Sequence, residues 1–275
     1  MQPDTQKKLH NGVAIPTVGL GVFQIENGPI AEKAIRSAID AGYRHIDTAR
    51  AYHNEESVGK AVRNAGIPRD EIFVTTKLWN ADIRAGRARA ACEESLSRLG
   101  LDYIDLYLIH WPAEGFEAAW SEMETLYREG KLRAIGVSNF QDHHIDTLMQ
   151  NATITPMVNQ IECHPLLTQK PLREYCESKG IACEAWSPLG GTGGNLLDHS
   201  ALAAIAQRYG KSVAQIILRW DIQGGLITLP KSVHPERIAS NINIYDFELS
   251  AEDMAAIDSL NQDRRVGPDP DHFNF

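Results

Sequence analysis

The chain has 275 residues, 43% of them hydrophobic and 23% charged, which is enough apolar surface for a packed core and excludes bulk disorder. Its 36 acidic residues outnumber 27 basic ones, and the formal charge of −9 argues against a nucleic-acid partner. No apolar run reaches the roughly 18 residues that cross a bilayer, residues 1–11 are polar, and the four cysteines form no C-x-x-C pair; a cytoplasmic, monomeric protein with reduced thiols and no membrane partner is expected.

The first predicted element is a hairpin. Asn11-Gly12 lies between Lys8-Leu9-His10 and Val13-Ala14-Ile15, and both central residues tolerate positive φ, so a tight type I′ turn is expected in a ribbon that caps one end of the fold. Beyond it, short apolar runs rich in β-branched residues predict strands at 18–21, 43–46, 72–76, 104–109, 134–137, 157–159, 181–185 and 226–229. Amphipathic stretches such as 31–41, 87–99, 118–128 and 202–209 lie between them, and Gly42, Gly100, Gly130 and Gly210 follow as helix stops. This alternation predicts an α/β fold, a (β/α)8 TIM barrel whose bottom is capped by the N-terminal hairpin. An open doubly wound sheet would announce its dinucleotide site with G-x-G-x-x-G. Gly19-Leu20-Gly21 lacks the third glycine, and residues 190–194 lack the strand-to-helix context. No linker interrupts residues 1–275, so a single domain is expected.

The residues that follow the predicted strands carry the chemistry. Asp47, Lys77 and His110 end three successive strands, and Ser138-Asn139, Gln160, Trp186 and Lys231 end later ones. Any one of these charges is explained by a strand reaching solvent. Together, on the carboxyl rim of a barrel and joined by Tyr52 in the loop after the second strand, they form an acid/base set. A phenol is a poor donor at neutral pH, and an adjacent ammonium is expected to pull its pKa toward the working range. Lys77 fits that role, Asp47 would compensate the buried ammonium, and His110 could hold a substrate oxygen. The set has no nucleophile with its own base and no metal cage. Cys163-His164 reads as structural and His143-His144 as an exposed helix turn.

These stretches resemble the signatures of the aldo-keto reductase family. The first is Gly42-Tyr43-Arg44-His45-Ile46-Asp47-Thr48-Ala49 with Tyr52, Asn54-Glu55 and Val58-Gly59. Thr75-Thr76-Lys77-Leu78-Trp79, the run from Asp102 to Pro112, and Leu229-Pro230-Lys231-Ser232-Val233 follow in family order. The resemblance implies NADPH-dependent reduction of aldehydes or ketones, with Tyr52 as general acid, Lys77 and Asp47 as its tuning pair, and His110 orienting the carbonyl. It also implies that Trp186 stacks on the nicotinamide, that Ser138, Asn139 and Gln160 bind its carboxamide, and that Ser187 and Leu189 line the pyrophosphate path. Lys231, Ser232 and Arg237 match contacts to the adenosine 2′-phosphate, with Val233 and His234 in the same segment, and Asn241 matches an adenine contact.

Three residues depart from the family pattern. His234 replaces a small hydroxyl residue, Ser240 replaces a glutamate, and Arg50 is expected to bring positive charge to the pocket mouth. Phe23, Trp79 and Trp111 match aromatic pocket walls. The short connection 113–115 implies an open pocket suited to small or polar carbonyls, such as a keto sugar acid or a 2-oxoaldehyde. The end of the chain, from Arg265 to Asp271, is similar to that of the microbial branch containing diketogluconate reductases and protozoan prostaglandin F synthases. Two other classes use similar parts. A non-catalytic NADPH-binding redox sensor of this fold would be expected to lack a member of the four, and a barrel isomerase would need neither Trp186 nor the 231–237 segment.

Overall fold

The computed structural model describes residues 5–191 and 193–275. Strands β1 (Gln6–Lys8) and β2 (Ala14–Pro16) form an antiparallel ribbon. They are followed by β3 (Leu20–Gly21), β4 (His45–Asp47), β5 (Phe73–Leu78), β6 (Ile104–Ile109), β7 (Leu132–Ser138), β8 (Val158–Glu162), β9 (Ala182–Trp186) and β10 (Ile227–Thr228). These eight lie in sequence order in one sheet, and each pairs with its neighbours in parallel. The two ends of the sheet meet: Val18 bridges Thr228, Gly19 N–H donates to the Thr228 carbonyl at 2.9 Å, and Gly21 N–H donates to the Pro230 carbonyl at 3.1 Å. The sheet therefore curls back on itself and brings the carboxyl ends of all eight strands to one rim.

Each predicted strand overlaps an observed one, and the four predicted glycine stops all take positive φ. The hairpin differs from expectation. Leu9 N–H donates to the Val13 carbonyl and Gly12 N–H to the Leu9 carbonyl, both at 2.8 Å, which makes His10-Asn11-Gly12 a three-residue connection. Only Gly12 is left-handed, at φ 91°, whereas a type I′ turn needs positive φ at Asn11 too. Asn11 acts through its side chain instead: Nδ2 donates to the Arg133 carbonyl at 3.0 Å and Oδ1 accepts from Val13 N–H at 3.1 Å. Arg133 lies at the start of β7, so the ribbon is tied to the amino end of the barrel, where Ile15 is fully buried.

Side chains alternate along a strand, so residues two apart share a face. On β4 that pairs His45 with Asp47, on β5 Thr75 with Lys77, and on β9 Glu184 with Trp186. These polar residues meet inside the barrel, where His45 lies 3.0 Å from Thr75 Oγ1 and Lys77 Nζ 2.7 Å from Asp47. The aliphatic partners Ile46, Val74 and Ala185 are fully buried in the surrounding core. Among the described residues no helix is long and apolar enough to cross a membrane.

Two of the outer helices, Glu55–Arg63 and Ala88–Leu99, approach closely at Gly59. A methyl group there would fall 1.8 Å from the Leu99 carbonyl oxygen, which is backbone and cannot turn aside. Gly59→Ala is expected to cost about 3 kcal/mol in urea unfolding, the upper end of overpacking penalties, while Glu56→Ala, at an exposed position of the same helix, should change little.

Candidate active site

The turn Arg50–Tyr52, immediately after β4, carries Tyr52 back over the barrel rim. Lys77 Nζ, fully buried on β5, donates to Asp47 Oδ1 at 2.7 Å and Oδ2 at 2.8 Å, to the Thr48 carbonyl at 2.8 Å, and to the Tyr52 hydroxyl at 3.3 Å. Burial lowers the Lys77 pKa, but Asp47 and Tyr52 raise it more and hold it above the ordinary lysine value. Tyr52 departs from the sequence expectation. Burial raises its pKa, Lys77 lowers it, and Asp47 raises it again, so the phenol ends above its ordinary value, because the ammonium is already matched by the Asp47 charge.

His110, at the end of β6, completes the group. Its ring lies edge-on to Tyr52, with centroids 5.7 Å apart, and to Trp79, at 5.1 Å. Burial and the nearby Lys77 push its pKa well below the ordinary histidine value, so it is neutral at physiological pH. Arg50 does not face the pocket as a free charge. Its Nε meets Asp82 at 2.9 Å and its Nη1 meets Glu94 at 2.7 Å, a correction to the sequence expectation that follows from the two acidic partners on neighbouring helices.

The residues proposed for cofactor contact lie around the same rim. Asn139, left-handed at φ 63°, donates from Nδ2 to the His110 carbonyl at 3.0 Å and to Ser138 Oγ at 3.1 Å, and its Oδ1 accepts from Trp186 Nε1 at 2.8 Å. Ser138 Oγ donates in turn to the Gln160 carbonyl at 2.9 Å. The Trp186 ring, Ser187 and Leu189 are partly exposed. Gln160 directs its amide inward, donating to Asp47 Oδ2 at 2.8 Å and to Glu184 Oε2 at 2.6 Å. Lys231, Val233, His234 and Arg237 are exposed and Ser232 and Asn241 buried at the helix Pro235–Ile242. Ser232 Oγ accepts from His234 N–H at 3.1 Å at the start of that helix. Lys231 and Arg237 form no ion pair among the described residues, whereas His234 Nδ1 lies 3.9 Å from Glu236.

The sequence profile described as Aldo/keto reductase family matches residues 17–262. The chain belongs to the aldo/keto reductase family. It is 58% identical over 272 residues to the uncharacterized oxidoreductase YtbE of Bacillus subtilis, covering 97% of this chain and 96% of that protein. It is 55% identical to a glyoxal reductase of the same organism, with 98% and 97% covered, and 46% identical to the methylglyoxal reductase DkgA of Escherichia coli, with 99% of each covered. Among solved structures, an aldo-keto reductase from a deep-sea metagenome library aligns with a TM-score of 0.95 at 45% identity, covering 98% of this chain and all of that one. A Bombyx mori aldo-keto reductase solved in complex with NADP aligns at 0.89 and 43% identity, with 98% and 97% covered.

The sequence reading of this reductase missed its carboxy-terminal aromatics. Phe275 stacks on Trp79, with centroids 5.8 Å apart and planes 3° from parallel, and it meets Trp111 edge-on at 5.2 Å; Phe273 also packs on Trp111, at 5.2 Å. The tail thus covers Trp79 and Trp111, two of the three aromatics expected to wall a pocket, and the third, Phe23, is 55% exposed and lies 4.9 Å from the Tyr52 ring. Glu162 anchors the segment that leads to these rings, accepting N–H bonds from Val266 at 2.6 Å and Gly267 at 3.2 Å. Farther along, Asp271 lies 3.0 Å from His143 Nε2 and 3.4 Å from His144 Nε2. His144 Nδ1 accepts the Gln141 N–H, which places the neutral ring's proton on Nε2 and makes this trio a hydrogen-bonded clasp in place of a ligand set. The sequence signal for the tail is two aromatics after a proline-rich stretch.

Inside the barrel, burial and the Asp47 charge push Glu184 up to about 8, and burial pushes Asp221 to about 8 as well. Both keep protons in the folded state that the unfolded chain has lost, so each stabilises at low pH and loses its contribution as pH rises toward 8. Burial pushes His45 down to about 3, so below its ordinary 6.5 the unfolded chain takes up a proton that the folded one refuses, and His110 acts in the same sense. The two trends oppose each other below pH 6.5. Of these four groups only the carboxyls act above it, and their contribution to stability, measured by urea unfolding, is expected to fall between pH 6.5 and 8 by up to about 1.4 kcal/mol per pH unit for each.

Proposed function

We propose that this oxidoreductase reduces small or polar carbonyl compounds to alcohols with NADPH, with Tyr52 as the general acid. The reading rests on one contact: Lys77, already bonded to Asp47 and the Thr48 carbonyl, also reaches the Tyr52 hydroxyl at 3.3 Å. An ammonium only donates, so the Tyr52 oxygen accepts and its own proton is free to point toward a substrate oxygen. The neutral His110 ring stands beside that position and can hydrogen-bond the same oxygen without competing as an acid.

NADPH, when bound, supplies the hydride. The residues present fit it: a partly exposed Trp186 ring is fixed by Asn139, and two exposed cations with no ion pair among the described residues, Lys231 and Arg237, flank a helix N-terminus. Trp186 would stack on the nicotinamide, Ser138, Asn139 and the Gln160 amide oxygen would hold its carboxamide, and Ser187 and Leu189 would line the pyrophosphate. Lys231, Ser232, Val233, His234 and Arg237 would surround the 2′-phosphate, with Asn241 on the adenine. The glyoxal and methylglyoxal reductases among the relatives, together with the aromatic walls Trp79, Trp111 and Phe275, favour 2-oxoaldehydes as substrates, with keto sugar acids next.

Tyr52→Phe is expected to lower carbonyl reduction by about 10²-fold or more, with NADPH binding measured by tryptophan quenching nearly unchanged. Retained turnover would remove Tyr52 as the donor, and NADPH binding by the wild type without reduction of any carbonyl in an absorbance panel would point to a sensor. Arg237→Ala is expected to weaken NADPH about tenfold or more and leave NADH nearly unaffected, since only NADPH carries the 2′-phosphate. Equal losses would place the phosphate elsewhere.

A further inference from the structure

Beneath the site lies a carboxyl group to which the reaction above gives no part. Glu184, on β9, is fully buried. Its Oε2 accepts one N–H from Gln160 at 2.6 Å, and its Oε1 has no hydrogen-bond partner among the described residues and lies 3.8 Å from His45 Nε2. The Gln160 nitrogen also donates to Asp47 Oδ2 at 2.8 Å, so a single side-chain amide joins the two carboxyl groups.

A buried carboxylate is stable only with several donors or a cation in contact. Glu184 has one donor. The titratable groups that face it are Asp47 and His45 from β4 and Lys77 from β5, with Tyr52 beyond Lys77. Lys77 is already bonded to Asp47, Thr48 and Tyr52, and His45, neutral, faces the Thr75 hydroxyl at 3.0 Å. Burial and the Asp47 charge push Glu184 in the same direction, up to about 8.

We propose that Glu184 is a positioning residue for proton donation by Tyr52: as a neutral acid it accepts the Gln160 amide, holds that amide on Asp47, and keeps a second negative charge away from Lys77. This rests on the reading of Tyr52 as the general acid. When Glu184 loses its proton, Lys77 faces two carboxylates, its pull on the Tyr52 oxygen weakens, and the phenol becomes a poorer donor. The order of action is Glu184, Gln160, Asp47, Lys77, Tyr52, and Glu184 itself touches neither substrate nor cofactor.

The test is kcat for a reducible aldehyde between pH 6 and 10 in the wild type and in Glu184→Gln, which imitates the neutral acid in shape. The wild type is expected to step down near pH 8, by about threefold for each pKa unit that Tyr52 gains if proton transfer is half complete in the transition state. Glu184→Gln should keep the wild-type rate at pH 7 and lack the step. A step that persists in the variant, or an equal loss at every pH accompanied by a lower melting temperature, would overturn the proposal.

Infrared difference spectroscopy gives a readout independent of turnover. The wild type should show C=O stretches of two buried protonated carboxyls at pH 7, Glu184 and Asp221; Glu184→Gln should lack one of them, and that band should disappear from the wild type as the pH passes about 8. Absence of that band in the wild type overturns the proposal. A wild type that reduces no carbonyl removes the Tyr52 reading and the proposal with it, while the band still reports whether Glu184 holds a proton.

Discussion

The arrangement of this reductase depends on burying one ammonium group. Lys77 has no exposed surface, and an unpaired charge in that position would cost several kcal/mol. Asp47, the Thr48 carbonyl and Tyr52 remove that cost by accepting its hydrogens, and each comes from β4 or the segment just after it, while Lys77 comes from β5. The register that pairs Asp47 with Thr75 brings the Asp47 and Lys77 side chains to the same side of the sheet, two residues apart along β5. Strand pairing and site chemistry are thus one constraint: a slip of a single residue would turn Asp47 outward and leave the ammonium alone.

The same alternation explains why the barrel has a polar interior. Residues that face outward from β4, β5 and β9 are largely apolar and pack against helices, and their neighbours along each strand are His45, Asp47, Thr75, Lys77 and Glu184. The interior tolerates these groups because they answer one another: His45 meets Thr75, and Gln160 joins Glu184 to Asp47. Gly19 makes room for this packing, since a methyl there would lie 2.7 Å from His45 Nδ1. Glu184 Oε1 stays unmatched among the described residues, and it marks where a protonation state, in place of a hydrogen bond, adjusts the balance.

Much of this was legible in the sequence. Strand positions can be read because apolar runs of β-branched residues alternate with helical stretches that end in glycine, and Asp47, Lys77 and His110 stand out because each interrupts such a run at its end. The hairpin turn departs from expectation because Asn-Gly suits more than one tight connection, and the observed one carries a side-chain bond from Asn11 to Arg133, a residue distant in sequence. Glu184 escapes notice because it sits in the middle of a strand, where its apolar neighbours dominate the pattern and the face it presents does not show. Phe273 and Phe275 are missed for a different reason: no local pattern says that a tail folds back, and the anchors that bring it there, Glu162 and Asn80, lie far away in the chain. The direction of the Tyr52 shift is also beyond the sequence, because it is the difference between a burial penalty and a charge already shared with Asp47.

The seam where the sheet meets itself has a further consequence. β3 and β10 are only two residues long, and the junction between them relies on a few amide bonds around Val18, Gly19 and Thr228. A hoop is weakest at its clasp, and here the clasp adjoins Lys231 and the helix that follows. An opening of the cylinder would start more readily at that joint than across the longer pairings of β5, β6 and β7, on the side where the proposed cofactor contacts Lys231 and Arg237 lie.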